Sequence, residues 1–354
     1  KKIGKNTFDI GRKYIDKMIR VNTDEICAAI KDVFEDTRSI LEPAGALSIA
    51  GMKKDILNSN LINKTLYVVL GPTAIGKTAL AIELAKKRQT EIISCDSRQF
   101  YKEMNIGTAV PSSKELNSIT HHFIQHKSIH DIYNVGAFEQ EALKKLKELF
   151  LEHQVVVMVG GSGLYIDAVC KGLSAFPEID TSLRKELREN FKSRGIEWLQ
   201  NEVKKEDPNY YQTVDVNNAH RLLRCLEVCR QTNQAFSSFR NKNKDTRFFN
   251  IQYIGLEMSR DDLYERINHR VDIMIQNGLL EEVKSLLPYQ SLNALQTVGY
   301  RELFAFYRKE ISLEEAVEQI KKNTRRYAKR QLTWFKKYDE AKWYKSAKEA
   351  VGKN

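Results

Sequence analysis

The segment YVVLGPTAIGKTALAIEL, residues 67–84, constrains the fold of this chain more than any other stretch. Its spacing of Gly71, four residues and then Gly76-Lys77-Thr78 is that of a phosphate-binding loop. An apolar run before the loop predicts a buried strand, and apolar residues at helical spacing follow it. In such a unit, backbone N–H groups, the positive end of a helix dipole and a lysine face an anion. The segment therefore predicts a phosphate site, and leaves open whether a nucleotide or another diphosphate is bound.

Further apolar runs predict strands of the same sheet over 91–95, 155–159 and 250–258. An alternation of strands and helices indicates a parallel sheet covered by helices. The expected fold class is therefore α/β, with a core like that of the phosphate-loop NTPases. Because ligands of such sheets collect at the carboxyl ends of the strands, three segments should converge on one crevice, namely Gly71 to Thr78, Asp96 to Tyr101 and Gly160 to Tyr165.

Changes in composition predict how the chain is divided. After Pro177 the sequence becomes charged, helical and poor in glycine, which predicts a helical insertion domain over 178–246. The core is then expected in two parts, 64–177 and 247–345, and the second part is expected to be mainly helical as far as Trp343.

The composition is that of a globular protein of 354 residues, 42% of them hydrophobic. No run approaches the ~18 apolar residues of a membrane span, and the first residues lack the apolar core of a signal peptide, so we expect a cytoplasmic protein. The five cysteines are scattered, as is typical of reduced thiols. Cys225 and Cys229 lie four apart without two further ligands at similar spacing, so a buried helix face is favoured over a zinc site.

Positive charge is concentrated towards the end of a chain whose formal net charge is +11. Residues 318–337, EQIKKNTRRYAKRQLTWFKK, contain eight Lys or Arg against one Glu. Arg326, Arg330 and Trp334 recur every four residues and so share one face of a helix. Basic side chains interleaved with aromatic rings are typical of nucleic-acid binding. The alternative is a solvated basic helix whose rings belong to the core.

The strand over 155–159 ends in glycines, whereas an ATP-driven motor normally has an acidic residue there to hold Mg2+. Adjacent glycines let a bulky group approach the backbone closely. The nearest carboxylate in the expected topology is Asp96. The residues alone leave it open as a general base, a magnesium ligand or a cap for the turn that follows.

A group of histidines raises the question of a metal site. His122, His126 and His130 recur at helical spacing. A loop or β-like interpretation of this stretch is at least as good, so surface or substrate-lip residues are favoured over metal ligands.

Seven stretches occur in the order of one known family: GPTAIGKT, SCDSRQFYKEMNIGTA, THHFI, VVMVGGSGLYIDA, RLLRCLEV, TVGYREL and NTRRYAKRQLTWF. Together they resemble the tRNA dimethylallyltransferase family over about residues 64–345. The resemblance implies transfer of the dimethylallyl group of dimethylallyl diphosphate to N6 of the adenosine 3′-adjacent to the anticodon, in tRNAs that read codons beginning with U. It implies the tRNA anticodon stem-loop as the partner, Mg2+ as the cofactor and no consumption of ATP.

The resemblance also assigns roles to residues. Asp96, Thr73, Lys77 and Arg270 are implied to be catalytic, with Asp96 taking a proton from N6, and Thr78 is implied to bind Mg2+. The residues implied to bind the diphosphate are Gly71, Pro72, Thr73, Ala74, Ile75, Gly76, Lys77, Thr78, Arg266 and Arg270. The residues implied to contact tRNA are Asp96, Ser97, Arg98, Gln99, Ser162, His220, Arg221, Arg224, Gln296, Gly299, Tyr300, Arg301, Arg325, Arg326, Lys329 and Arg330.

Two details of this assignment remain to be decided. Of the two arginines, Arg270 is favoured as the one that faces the diphosphate. The family commonly has Thr where this chain has Ser162, a change that keeps the hydroxyl and should have a small effect.

Two other functions compete with prenyl transfer. A small-molecule or nucleotide kinase shares the ATP-binding type of loop and the lack of a motor-type acid. A non-catalytic RNA-binding module would use the loop only as a nucleotide switch, and this leaves Asp96 without a role. We expect a monomer in each case.

The stretch VNTDEICAAIKDVFEDTRSILEPAGALSIAGMKKDI, residues 21–56, resembles a different family. It is similar to the late part of the catalytic domain of biosynthetic threonine dehydratase, and the resemblance spans about residues 8–57. The Schiff-base lysine motif and the glycine-rich phosphate cradle of that fold are missing from the sequence, so a pyridoxal phosphate enzyme is rejected. We interpret residues 1–57 as a fusion remnant or an imperfect gene boundary, with loosely packed helices over about 23–37 and 43–56.

Overall fold

A parallel sheet of six strands places the phosphate-loop strand at an inner position. The computed structural model describes residues 18–60, 63–174, 176–177, 179–240 and 247–354. Its strands are Thr65–Leu70 (β1), Ile92–Ser94 (β2), His121–His122 (β3), Val155–Val159 (β4), Asn250–Leu256 (β5) and Lys342–Tyr344 (β6). Within the described residues their order is β3-β2-β4-β1-β5-β6, and each neighbouring pair is parallel. The predicted α/β fold with a phosphate-loop core is therefore confirmed.

The helices of the described residues cover the sheet, form a pair before β1 and fill the segment between β4 and β5. In chain order they are Thr23–Thr37 (α1), Pro43–Asn60 (α2), Lys77–Arg88 (α3), Ser113–Ser118 (α4), Val135–Glu152 (α5), Gly163–Lys171 (α6), Thr181–Glu206 (α7), Pro208–Tyr211 (α8), Ala219–Thr232 (α9), Ser237–Arg240 (α10), Arg260–Gln276 (α11), Leu279–Ser285 (α12), Tyr300–Tyr307 (α13), Leu313–Phe335 (α14) and Ala347–Lys353 (α15). No helix among them has the length and apolar character of a membrane-spanning segment.

The strand β1 is the centre of the core. It pairs with β4 from Thr65↔Val155 to Val69↔Val159, and with β5 on its other side. Leu66 to Leu70 are buried, as the apolar run predicts. The strands predicted over 91–95, 155–159 and 250–258 correspond to β2, β4 and β5. The sequence did not predict β3, which has two residues, or β6, which contains Trp343 at the end of the stretch expected to be helical.

The described chain divides into two compact units, each with its own core. One comprises the described residues up to Ile132 together with Glu141–Ser162 and Phe248–Asn354; the other comprises Tyr133–Gln140 and Gly163–Arg247. In the second unit, buried apolar side chains of α7 and α9 form the core with Tyr210, Phe236 and Phe239. The domain bounds predicted at 64–177, 178–246 and 247–345 stay predictions, and residues 178 and 241–246 lie outside the described residues.

The helices α1 and α2 form a pair before the sheet. A capping box begins α1, in which Asn22 and Glu25 exchange hydrogen bonds. The buried centre of the pair consists of Ala29, Ala46 and Ala50, whereas larger apolar residues such as Phe34 are exposed. The helices agree with those predicted over 23–37 and 43–56. Residues 8–17 of the threonine dehydratase resemblance lie outside the described residues, and that resemblance stays a prediction.

Candidate active site

The phosphate loop wraps around the start of α3. Gly71 has a φ of +142° and Gly76 a φ of +104°, a region in which side chains with a Cβ are strained. A Cβ at Gly71 would also lie 3.1 Å from the carbonyl oxygen of Leu256. Lys77 Nζ donates a hydrogen bond to the carbonyl oxygen of Pro72, at 2.8 Å. The buried side chain of Ile75 anchors the loop in the core. The glycines of the motif are thus needed for the loop conformation itself.

Positive charge surrounds the loop. Burial lowers the pKa of Lys77 to about 8, with Asp96 opposing the shift and Arg270 adding to it. Arg266 Nε donates to the carbonyl oxygen of Ala74 at 3.0 Å, and Arg270 Nη1 lies 3.4 Å from Thr73 Oγ1. Burial also lowers the pKa of Arg270. Both candidate arginines, on consecutive turns of α11, therefore reach the loop, and the structure does not choose between them.

Asp96 lies just after the carboxyl end of β2 and borders the crevice. Its Oδ1 accepts a hydrogen bond from the backbone N–H of Arg98 at 3.0 Å, so the carboxylate does cap the turn that follows it. Asp96, Thr73 and Arg270 line both a cavity of about 560 Å³, which contains the phosphate loop, and an adjoining cavity of about 130 Å³. The capping role of Asp96 does not exclude a role as general base or as magnesium ligand, because the carboxylate also borders both cavities.

The glycines after β4 allow elements of the protein itself to approach. A Cβ at Gly160 would lie 1.9 Å from the carbonyl oxygen of Cys95, and one at Gly161 would lie 2.4 Å from Gln331 Nε2. The close neighbours are therefore the end of β2 and a side chain of α14. Next to them, Ser162 Oγ accepts from the backbone N–H of Ser97 and donates to Ser97 Oγ, both at 3.0 Å. The hydroxyl of Ser162 thus has hydrogen-bond partners on Ser97.

Comparison with known proteins decides which phosphate-loop fold this is. The family model of IPP transferase matches residues 99–338. A tRNA dimethylallyltransferase of Christiangramia forsetii is 57% identical over 276 residues, which cover 78% of this chain and 91% of the relative. The chain belongs to the tRNA dimethylallyltransferase family. Members transfer prenyl groups, so this protein is a prenyl-transferring enzyme, and family membership rejects the kinase and binding-module alternatives.

Further tRNA dimethylallyltransferases and their structures agree with this assignment. The one from Flavobacterium johnsoniae is 53% identical over 287 residues, covering 79% of this chain and 93% of the relative. A tRNA isopentenylpyrophosphate transferase of Bacillus halodurans has a TM-score of 0.61 at 34% identity, with 82% of this chain and 94% of that chain covered. A eukaryotic dimethylallyltransferase described as acting on tRNA has a TM-score of 0.65 at 28% identity, with 77% and 69% covered.

The predicted tRNA contacts of the first unit lie partly at the surface and partly inside. Gln296 and Arg301 are exposed. Arg98 Nη1 donates to the carbonyl oxygens of Asn293 and Ala294 at 2.8 and 3.0 Å. Gln99 Nε2 donates to the carbonyl oxygens of Thr108 and Ala109, so it holds a loop of the crevice. The side chains of Arg98 and Gln99 therefore hold neighbouring backbone segments of the site in place.

Tyr300, a predicted tRNA contact, makes its side-chain contacts inside the protein. Its side chain is fully buried, and its hydroxyl donates to Glu282 Oε1 at 2.6 Å. Burial, followed by the charge of Glu282, raises its pKa. The same carboxylate accepts hydrogen bonds from the backbone N–H groups of 105–107. The ring of Tyr300 therefore orders a loop of the crevice, and its contact with tRNA stays a prediction. Gly299, also buried, donates its N–H to Glu302 Oε2 at 2.9 Å.

The basic residues of α14 divide between its faces. Arg326, Lys329 and Arg330 are exposed. Arg325 is half-buried, and its Nη1 donates to Asn268 Oδ1 at 2.6 Å. The inner face of the helix carries Tyr327 and Gln331 towards Gly161, and Phe335 is buried in the core. Exposed basic residues with inward rings fit both interpretations of the helix, so the contact with nucleic acid stays a prediction.

The remaining predicted tRNA contacts lie in the second unit. His220 and Arg221, at the start of α9, are exposed, whereas Arg224 lies over the ring of Phe176 at 5.5 Å and donates to Glu227 Oε2 at 3.2 Å. His220 and Arg224 line a broad cavity of about 1420 Å³ in this unit. Three predicted contacts are thus held on one helix.

The cysteines of α9 are buried, as predicted, and meet an acidic side chain. The Sγ atoms of Cys225 and Cys229 lie 3.9 Å apart, with Asp207 near them. The Asp207 carboxylate accepts hydrogen bonds from the N–H of Tyr210 at 2.9 Å and of Ser237 at 2.6 Å. The Asp207 carboxylate therefore caps the N-termini of α8 and α10. We explain the group of Asp207, Cys225 and Cys229 by this capping and by the packing of the two thiols.

The three histidines do not form a metal site. His122 contacts Glu91, His126 packs edge-on against Phe100 and Phe123, and His130 packs against Tyr289. Burial lowers the pKa of His126 to about 4, so the ring is neutral near pH 7. His121, which the sequence did not single out, lines the cavity of about 560 Å³ at the phosphate loop together with His269.

Proposed function

We propose that the protein transfers the dimethylallyl group from dimethylallyl diphosphate to N6 of the adenosine 3′-adjacent to the anticodon, in tRNAs that read codons beginning with U. The observation that carries the proposal is the meeting of the phosphate loop, Arg270 and Asp96 in one crevice. The loop suits a diphosphate, and the carboxylate beside it suits an amine that must lose a proton. The cytoplasmic location and monomeric state stay predictions.

The donor is held by its diphosphate. The N–H groups at the end of the phosphate loop, from Gly76 to Thr78, and the charge of Lys77 face the anion, with Arg266 and Arg270 at its rim. As the C–O bond breaks, negative charge grows on the leaving diphosphate, and these groups stabilise it. The allylic carbon gains cationic character at the same time. Diphosphate leaves with the bonding electron pair.

The acceptor amine forms the new C–N bond. An adenine amino group is a poor nucleophile until a base accepts its proton, and Asp96 takes that proton as N6 attacks the allylic carbon. The base must leave its stack to reach this depth. The exposed Arg326, Lys329 and Arg330 bind the RNA backbone. His220, Arg221 and Arg224 supply further contacts from the second unit.

The donor set of the crevice fits Mg2+. Prenyl transfer from a diphosphate generally calls for a divalent metal, and Mg2+ is usually held by one or two protein oxygens together with phosphate oxygens and water. Thr78 and Asp96 both line the cavity at the phosphate loop and offer such oxygens. A bound Mg2+ would neutralise part of the charge on the leaving diphosphate.

The test incubates the protein with Mg2+ and unmodified tRNA, adding either dimethylallyl diphosphate or ATP. The RNA is then digested and its nucleosides are measured by mass spectrometry. We expect prenylated adenosine in the reaction with dimethylallyl diphosphate and not in the reaction with ATP. Chelation of the metal should abolish the product. Phosphate transfer from ATP without prenylated adenosine would reject the proposal.

A further inference from the structure

A polar row runs along the inner face of α14. Asn323, Tyr327 and Gln331 are spaced four apart, so they lie above one another on one side of the helix. Asn323 Nδ2 donates to Glu302 Oε1 at 2.7 Å, and the Tyr327 hydroxyl lies 3.4 Å from the carbonyl oxygen of Gly161. The helix that exposes basic residues to solvent thus contacts the loops of the crevice with its other face.

Gln331 makes the most specific of these contacts. Its Oε1 accepts from the backbone N–H of Thr73 at 2.8 Å, and its Nε2 donates to the carbonyl oxygen of Gly161 at 2.8 Å. The side chain is buried, with 5% of its surface exposed. Both partners are backbone groups, one only a donor and the other only an acceptor. The primary amide of Gln331 supplies the complementary acceptor and donor, and this also fixes which end of the amide is oxygen.

The two partners belong to the two halves of the reaction. Thr73 lies in the phosphate loop, which holds the prenyl donor. Gly161 lies beside the proposed base for the adenosine amine, since a Cβ built on Gly161 would be 3.7 Å from Asp96 Oδ2. A single amide therefore spans the loop that holds the donor and the turn that packs against the proposed base. Gln331 lies within the family motif NTRRYAKRQLTWF, but no role had been assigned to it individually.

We propose that Gln331 is a positioning residue for the transfer reaction, which sets the phosphate loop at the correct distance from the turn next to Asp96. The inference rests on the proposed function. Misplacing reacting groups by about 1 Å can cost roughly 100-fold in rate. Loss of the bridge lowers kcat more than it raises KM for either substrate, because the binding groups themselves remain.

Gln331→Glu is the sharpest test. An ionised carboxylate still accepts from Thr73 but meets the carbonyl oxygen of Gly161 with a second acceptor, whereas the protonated acid can donate to it. We expect kcat to fall about 10- to 100-fold at pH 8 and to recover relative to wild type as the pH falls towards 6, since burial raises the pKa of a carboxyl group. Lys77, Asp96, Arg270 and Tyr327 are the titratable groups around the bridge, and dividing by the wild-type profile removes their contribution.

Gln319→Glu is the matched control, because it makes the same change on the same helix at an exposed position. It should follow the wild-type profile. Equal kcat for Gln331→Glu and wild type at pH 8, or a constant deficit from pH 6 to 8, would overturn the proposal. If Gln331→Glu fails to fold, Gln331→Met, of similar volume, decides in its place: a reduced kcat at every pH supports the bridge, and wild-type kcat overturns it.

A measurement without substrates separates this inference from the proposed function. Amide hydrogen exchange in the peptide that contains Gly71 to Thr78 should be faster in Gln331→Met than in wild type and Gln319→Glu. Unchanged exchange would count against the bridge even in an active enzyme. Absence of prenylated adenosine with the wild-type protein would instead reject the proposed function and leave the exchange result to decide the role of Gln331 in the loop.

Discussion

The crevice and the helix pair α1–α2 are ordered by contacts of different range. In the crevice, Thr73 and Gln331 are 258 residues apart in sequence, and Arg270 and Thr73 are 197 apart. In the helix pair, the capping bonds join residues three apart and the Lys54–Glu25 contact spans 29. The crevice therefore requires segments from the phosphate loop to α14 to be folded together, whereas the pair is stabilised by its own segment. Substitutions in the two regions should differ accordingly.

The largest difference is expected between Asp96→Asn and Asp24→Asn. Removing the proposed base should lower kcat for prenyl transfer about 10²- to 10⁴-fold with tRNA binding kept. The same change at the exposed Asp24 of α1 should leave kcat unaltered. Single-turnover kinetics with saturating substrates measure both. Full activity of Asp96→Asn would show that Asp96 is not the general base, and its role would then be capping or metal binding.

A smaller effect is expected from the outer face of α14. Replacing Arg326, Lys329 and Arg330 together by glutamine should weaken tRNA binding roughly 10- to 100-fold at low salt. It should also reduce the slope of log Kd against log salt by about 2, because each lost phosphate contact removes about 0.7 to 0.9. Lys31→Gln, on exposed α1, is the control for a lost positive charge. An unchanged salt slope would show that this face does not contact RNA.

The pH dependence of diphosphate binding should report on Lys77. Its pKa of about 8 means that it is protonated below pH 8 and loses its charge above it. A bound anion favours the charged form, so binding above pH 8 requires uptake of a proton, and affinity for inorganic diphosphate should fall by up to about tenfold per pH unit. Isothermal titration calorimetry from pH 7 to 9.5 measures this fall. In Lys77→Met the fall in diphosphate affinity caused by deprotonation of Lys77 should disappear. An identical pH profile for both proteins would refute the assignment of this fall to Lys77.

Sequence patterns predicted those features that depend on neighbours along the chain. The apolar runs identified β1, β2, β4 and β5, and the glycine spacing identified the phosphate loop. Two-residue β3 is too short to leave a periodic pattern, and β6 exists because β5 provides an edge to pair with. The burial of Tyr300 and the bridge made by Gln331 were missed because each depends on partners brought from distant segments.

The smallest effect is expected from deletion of residues 1–57. The alanine cluster of the pair and the apolar residues packed on it all come from positions 21–50. The hydrophobic cluster of the sheet contains none of these residues, so the deletion leaves that cluster complete. The deletion keeps Asn63 and Lys64, whose backbone carbonyls accept hydrogen bonds from Gln154 and Asn250 at the start of the sheet. Since the pair has its own buried cluster, kcat and both KM values should stay within about twofold of the full chain. A cooperative loss of folding, seen by circular dichroism, would show that the pair supports the core and would remove the contrast between the two regions.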